Sequence, residues 1–184
     1  MEIHYRHPST VEKLGSAMAS ILHSEFIILC IGTDRCIGDS LGPFIGHQLK
    51  KDAFPYPVYG TLEQPIHAIN LVEKFRKIKE RHPHTPILAI DASLGRNGSI
   101  GNIQFKKGSI IPGKGVGKML PAVGDYSLVG IVDTYHQLEE LTIHQVRLHL
   151  IHQMAQVMVD SLFYTLKMLQ KEETNGYSLE FGRR

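Results

Sequence analysis

The chain has 184 residues, 42% hydrophobic and 21% charged, with a formal net charge of +2. That is enough chain for one domain with a real core. The charge is too small, and its cations too scattered, to mark a nucleic-acid binder, and no apolar stretch is long enough to span a membrane. Both cysteines, Cys30 and Cys36, fall within one short segment without zinc-ligand spacing, which predicts reduced thiols in a cytoplasmic protein. The polar N-terminus "MEIHYRHPST" lacks the apolar core of a signal peptide.

Thr10–Leu22 carries Val11, Leu14, Met18, Ile21 and Leu22 at helical spacing, with Ser9 or Thr10 as cap. "FIILCI" follows, a continuous apolar run of strand length that suits burial on both faces of a parallel sheet. A loop over residues 32–42 leads to a helix in "PFIGHQLKK", with Pro43 in its first turn. "PVYGTL" reads as a short strand. "NLVEKFRKIKE" reads as an amphipathic helix capped by Asn70, with Leu71, Val72, Phe75 and Ile78 on one face. "PILAIDA" is a second buried strand, "SIGNIQFKKG" a more exposed one and "YSLVGIVD" a third central one. A long helix is predicted over Thr142–Leu169, with Val146, Leu150, Met154 and Val157 toward the core. A mobile polar tail is predicted over residues 171–184. Helices alternating with buried strands predict a single α/β domain over 1–184, three layers (αβα) around a mostly parallel, doubly wound sheet.

In such sheets ligands bind beyond the carboxyl ends of the strands, where strand order reverses. Two buried runs lead there into acids: "FIILCI" into the loop with Asp34 and Asp39, and "ILAID" into Asp91. Two carboxylates in one crevice push one pKa up, so that one serves as acid and the other as base, and such a pair can also hold a divalent metal. The bland alternatives are a helix cap at Asp39 or Ser40 and a backbone-satisfying role for Asp91.

A rival reading rests on Gly38-Asp39-Ser40-Leu41, which spells the nucleophile block of the GDSL esterases. Gly95-Arg96-Asn97 and Asp133-Thr134-Tyr135-His136 supply partial matches to the oxyanion and base blocks. Seven residues, Gly32 to Gly38, separate the first strand from the serine block, whereas that family places its serine almost directly after the strand. Elsewhere His149 and His152 are neighbours on one helix face without a matching carboxylate, and read as structural or surface histidines. "PGKGVGK", residues 112–118, departs from the P-loop pattern because Met119 follows Lys118, and reads as a flexible loop near the crevice.

Taken in order, "GDSLGP" (38–43), "AIDASL" (89–94) and "PGKGVG" (112–117) resemble motifs of the spore germination protease family. The chain as a whole resembles the YyaC group of short sporulation proteins related to it. The resemblance implies the fold of the hydrogenase maturation proteases and an atypical aspartate-dependent peptidase of a spore-forming cell, acting in the forespore or spore interior. It places the catalytic acids on Asp39 and Asp91. Asp34 is a supporting residue, together with Ser40 and the backbone of Gly32, Gly42, Gly115 and Gly117. No cofactor, metal, nucleic acid or membrane is expected. The expected partner is a protein or peptide substrate, with self-association left open. The alternatives are a Ser40 esterase and a non-catalytic peptide-binding protein that keeps the fold.

Overall fold

The computed structural model describes residues 1–22, 25–112, 120–134 and 146–181, the last with side chains through Lys171. Its elements run β1 (Glu2–His4), α1 (Thr10–Ala19), β2 (Ile27–Cys30), a 3-10 turn (Ile37–Asp39), α2 (Leu41–Lys51), β3 (Val58–Tyr59), α3 (Leu71–Arg81), β4 (Ile87–Gly95), β5 (Asn102–Lys107), β6 (Tyr126–Thr134) and α4 (Leu148–Phe181). Six strands form one sheet in the order β1-β5-β6-β4-β2-β3. Its centre is parallel: β2 pairs with β3 and β4, and β4 with β6. β5 and β1 add antiparallel at one edge.

Alternation along the strands assigns the two faces. Ile28, Cys30, Leu88, Ile90 and Leu128 join the core formed with α1, α2 and α4. Ile27, Leu29, Ile87 and Ala89 face the other way, against Leu71 and Ile78 of α3 and Val123. Burial on both sides is why "FIILCI" and "PILAI" read as unbroken apolar runs. In α4, Ile151, Met154, Met158, Leu162, Leu166 and Leu169 are buried at helical spacing, and Leu150 and Val157 pack at the margin of that core. The mixed α/β sheet between helices is the architecture expected from the sequence.

Several local expectations need correcting. β1 is a strand, although the N-terminal segment reads only as polar. Its bonds come from β5 and from the Met1 ammonium, which donates to the Phe105 carbonyl at 2.7 Å. The strand in "PVYGTL" stops at Tyr59, because Gly60 has φ +84° and its α-carbon presses on the Cys30 carbonyl, where a Cβ would lie 1.9 Å from the oxygen. α1 ends at Ala19 rather than Leu22. Caps stand where expected at Ser9 and Asn70 without capping through their side chains. The Asn70 carboxamide instead accepts from the His67 N–H at 2.9 Å and donates to the Pro65 carbonyl at 3.0 Å. The helix expected from Thr142 begins, among the described residues, at Leu148 and its backbone continues to Phe181.

Asp125 illustrates an acid with a purely structural task. At the N-terminal end of the sheet its carboxylate accepts from the Ile87 N–H at 2.9 Å, while its own N–H donates to the Ile87 carbonyl at 2.8 Å. The bonds fix where β4 starts relative to β6.

Candidate active site

The chain leaves β2 through α2 to reach β3 on one side, and leaves β4 to reach β5 and β6 on the other. The carboxyl ends of β2 and β4 therefore flank the switch point of the sheet, where departing loops diverge and open a crevice. β2 makes its last pairing at Cys30 with Ile90, and the Ile31 N–H donates to the Ile90 carbonyl at 2.8 Å. Asp91 is the next residue of β4. It keeps a partner, Val129, on the β6 side, while the β2 side turns away.

The loop after β2 folds back on itself. Gly32 has φ +132°, a conformation open to glycine, and a Cβ there would stand 2.0 Å from the Asp39 carbonyl oxygen. The Gly32 N–H donates to the Ile66 carbonyl at 2.8 Å, tying the loop after β2 to the loop after β3. The Thr33 N–H donates to the Asp39 carbonyl at 3.0 Å and closes the loop. Asp39 ends the 3-10 turn, and α2 starts two residues later. Gly42 permits that close start: a Cβ on it would lie 2.2 Å from the Ile31 carbonyl oxygen.

Ser40 is 6% exposed, and its hydroxyl donates to the Ile37 carbonyl at 2.7 Å. The residue occupies the N-cap position of α2 without bonding the helix through its side chain. Its hydroxyl braces the turn that carries Asp39, and its proton is directed to a carbonyl rather than to a base. Asp34 lies exposed in the outer part of the loop, and its carboxylate has no hydrogen bond or ion pair with another described residue. Gly115, Gly117 and His136 lie outside the described residues. Asp133 turns its carboxylate to the Thr134 N–H at 2.8 Å.

Asp39 and Asp91 do come together. Asp91 is buried, 9% exposed, and accepts from the Ala92 N–H at 2.9 Å. Its carboxyl is raised well above the ordinary carboxylate range, first by burial, then by the negative charge of Asp39, with the Ala92 bond opposing both. Asp39 is less deeply placed. Burial raises it to about 6, against a hydrogen bond from the Thr33 backbone. The deeper acid is the one pushed further toward its protonated form, while the shallower one, near 6, is mostly ionised at neutral pH. Two like acids are thus shifted to different extents by their surroundings. Among the described residues no group of three or more His, Cys, Asp or Glu side chains is arranged to hold a metal.

Residues missed at the sequence level are backbone contributors. Ala92 supplies the N–H that holds the Asp91 carboxylate, Thr33 the N–H that donates to the Asp39 main-chain carbonyl and also lowers the Asp39 carboxyl, and Ile66 the carbonyl that anchors Gly32. Only the glycines hint at them, Gly32 and Gly60 each following an apolar strand. Elsewhere Cys30 is wholly buried, and burial pushes its thiol far above the usual range. His149 and His152 are both exposed, His152 packing edge-on against Phe44.

Residues 2–161 match the family model described as "Protein of unknown function (DUF1256)". The chain is also 38% identical over 161 residues to "Uncharacterized protein YyaC" of Bacillus subtilis (strain 168), an alignment covering 87% of this chain and 78% of that protein. The chain belongs to the DUF1256 family.

Proposed function

We propose that the protein is an aspartate-dependent peptidase, and that Asp39 and Asp91 are its catalytic pair. The observation that carries this reading is the buried Asp91 carboxyl facing the charge of Asp39 across the switch point between β2 and β4. Ionised Asp39 takes a proton from a water, whose oxygen attacks the peptide carbonyl carbon. Protonated Asp91 gives its proton to the carbonyl oxygen, forming a neutral gem-diol. As the C–N bond breaks, Asp39 returns its proton to the leaving nitrogen and Asp91 recovers one from a diol hydroxyl, which restores both groups. The steps need no group beyond water and the two acids.

Resemblance to the spore germination protease and the hydrogenase maturation proteases supports a peptide substrate, and resemblance to the YyaC group of short sporulation proteins, in line with the 38% identity to the YyaC protein, supports a role in sporulation. No helix among the described residues is long and apolar enough to cross a membrane. The Ser40 hydroxyl, engaged by Ile37, weighs against the esterase alternative.

The test is incubation with an unfolded polypeptide mixture in water enriched in oxygen-18, with products sequenced by mass spectrometry. Cleavage that places one heavy oxygen on each new carboxyl terminus, persists with chelator and is lost in Asp39→Asn and Asp91→Asn supports the reading. Cleavage undiminished in those variants, or none by the unaltered chain, overturns it. Covalent capture of Ser40 by a fluorophosphonate would move the assignment to the esterase.

A further inference from the structure

At the edge of the sheet opposite β1, the strand β3 pairs only with β2 and leaves its outer backbone edge unpartnered among the described residues. A hollow of about 510 Å³ lies along it, between β3, the end of α2 and α3. Val58, Tyr59, Pro65, Ile66 and Ile78 give it an apolar floor. Lys50, Lys74, Lys77, Arg81 and His67 stand around it, and no carboxylate lines it. A second hollow, about 470 Å³, shares Lys50, Val58, Tyr59 and Arg81 and adds Phe54, Tyr56 and His82. The two hollows adjoin through these four shared residues and form a trough beside the strand edge.

The cations have specific positions. Lys77 is paired with Glu73 at 2.6 Å, but Lys50, Lys74 and Arg81 make no ion pair with a described residue and are exposed. Lys50 lies in the last turn of α2 and Arg81 ends α3, where the backbone dipole alone would favour a cation. Lys74 does not share that explanation. It lies about one turn from the positive end of α3, where the dipole disfavours it. A chain of net charge +2 thus gathers positive charge along one strand edge, with Glu73, beside Lys77 and Lys74, as a partial counterweight.

We propose that this trough docks an extended acidic polypeptide segment, which adds to β3 as a further strand. The open edge supplies main-chain hydrogen bonds, the floor takes every second side chain, and the cations take the acidic ones between. Of the aromatic side chains, Tyr59 is tied to His82 at 2.8 Å and Phe54 and Tyr56 stack on each other. A row of free faces for nucleic-acid bases is therefore lacking, and a peptide is the better fit. The wall of the trough that contains Gly60, Thr61 and Ile66 is the loop whose Ile66 carbonyl anchors Gly32. β3 and β4 are both neighbours of β2, so a strand docked outside β3 runs three strand spacings, about 14 Å, from the strand that carries Asp91. Only the claim that this segment belongs to a substrate rests on the peptidase reading. The docking itself does not.

The experiment measures fluorescence anisotropy of a labelled decamer of alternating Glu and Val with the full chain, beside a Lys–Val decamer and a Glu–Val decamer with alternate amides N-methylated. The expected result is binding of the Glu–Val peptide at least tenfold tighter than either control, weakened at least tenfold in Lys74→Glu/Arg81→Glu. Both positions are exposed, so that variant should fold, and circular dichroism checks that it does. Asp39→Asn/Asp91→Asn should bind as the unaltered chain does, which separates failure of docking from failure of catalysis. Equal binding by the charge-reversed variant overturns the site. Equal binding of the N-methylated peptide overturns strand addition. Displacement of the peptide by a ten-nucleotide oligothymidylate at equal or lower concentration overturns the choice of a peptide partner.

Discussion

The ends of β2 and β4 lie side by side, yet they deliver their aspartates by different means. β4 carries Asp91 within the strand itself, held by the ladder to β6 and by the Ala92 N–H. β2 stops at Cys30, and the chain then needs a positive-φ glycine, a closed loop and a 3-10 turn to bring Asp39 back to the crevice. A carboxyl built into a central strand is desolvated on nearly all sides. One presented by a loop keeps partial access to water. The difference in delivery is the origin of the difference in acidity, and so of the division of labour proposed for the pair.

The largest effect should come from removing either acid. Asp39→Asn and Asp91→Asn should each lower peptidase turnover by at least about a thousandfold, and the double variant should be little worse than either single, since groups acting as a unit are not additive. Turnover by the unaltered chain should rise with pH through about 6 as Asp39 ionises and fall again as Asp91 loses its proton at higher pH. A profile without the limb near 6 would contradict the assignment of Asp39 as base.

Next in size is the loop that makes Asp39 different from Asp91. Gly32→Ala would force a Cβ into the Asp39 carbonyl and strain the backbone, for a loss of about 2–4 kcal/mol by denaturant unfolding and a large loss of turnover. Ala92→Gly, beside Asp91 on the strand, should cost only about 1 kcal/mol. If both substitutions cost the same, the two delivery modes are not distinct.

The acids should also be felt in stability, with opposite sign. Both carboxyls bind protons more tightly in the fold than in the unfolded chain, so the native state holds more protons above about pH 4. Their destabilising effect is absent below the unfolded value of 3.8 and grows as pH rises through the folded values. Asp91→Asn, which keeps an oxygen for the Ala92 N–H, should therefore stabilise by about 0.5–2 kcal/mol at pH 7–8, and by nothing near pH 3. Thermal melts at the two pH values check it. Smallest is Ser40→Ala, which removes a single bond to Ile37 at about 1 kcal/mol and should leave most turnover in place.

The parts of this arrangement legible in the sequence are those encoded by side-chain pattern. "FIILCI" and "PILAID" declared buried parallel strands because both faces are covered, and an acid closing such a run stands out against its apolar neighbours. What stayed hidden depends on backbone contacts between distant segments. β1 forms because β5 offers it an edge 100 residues away, as in the Asn102 bond to Glu2, and nothing in "EIH" announces that. The end of β3 is set by the Cys30 carbonyl, and Asp34 and Asp39, alike in sequence, are separated only by the folding-back of the loop between them.

Gly42, Gly46 and Gly60 seat α2 and the loop after β3 directly on the backbone around Cys30, so closely that a Cβ on any of them would stand 1.9 to 2.2 Å from a carbonyl oxygen. Such contact leaves little room for fluctuation. In hydrogen–deuterium exchange the amides of Ile31 and Gly32 should open only with global unfolding, while those of the exposed outer turn at Asp34 and Arg35 exchange early. The outermost part of the loop is then the stretch expected to open first, above a base fixed by backbone contacts. A substrate of the proposed pair would then find both acids already in position, with no rearrangement of β2 or α2 needed to assemble them.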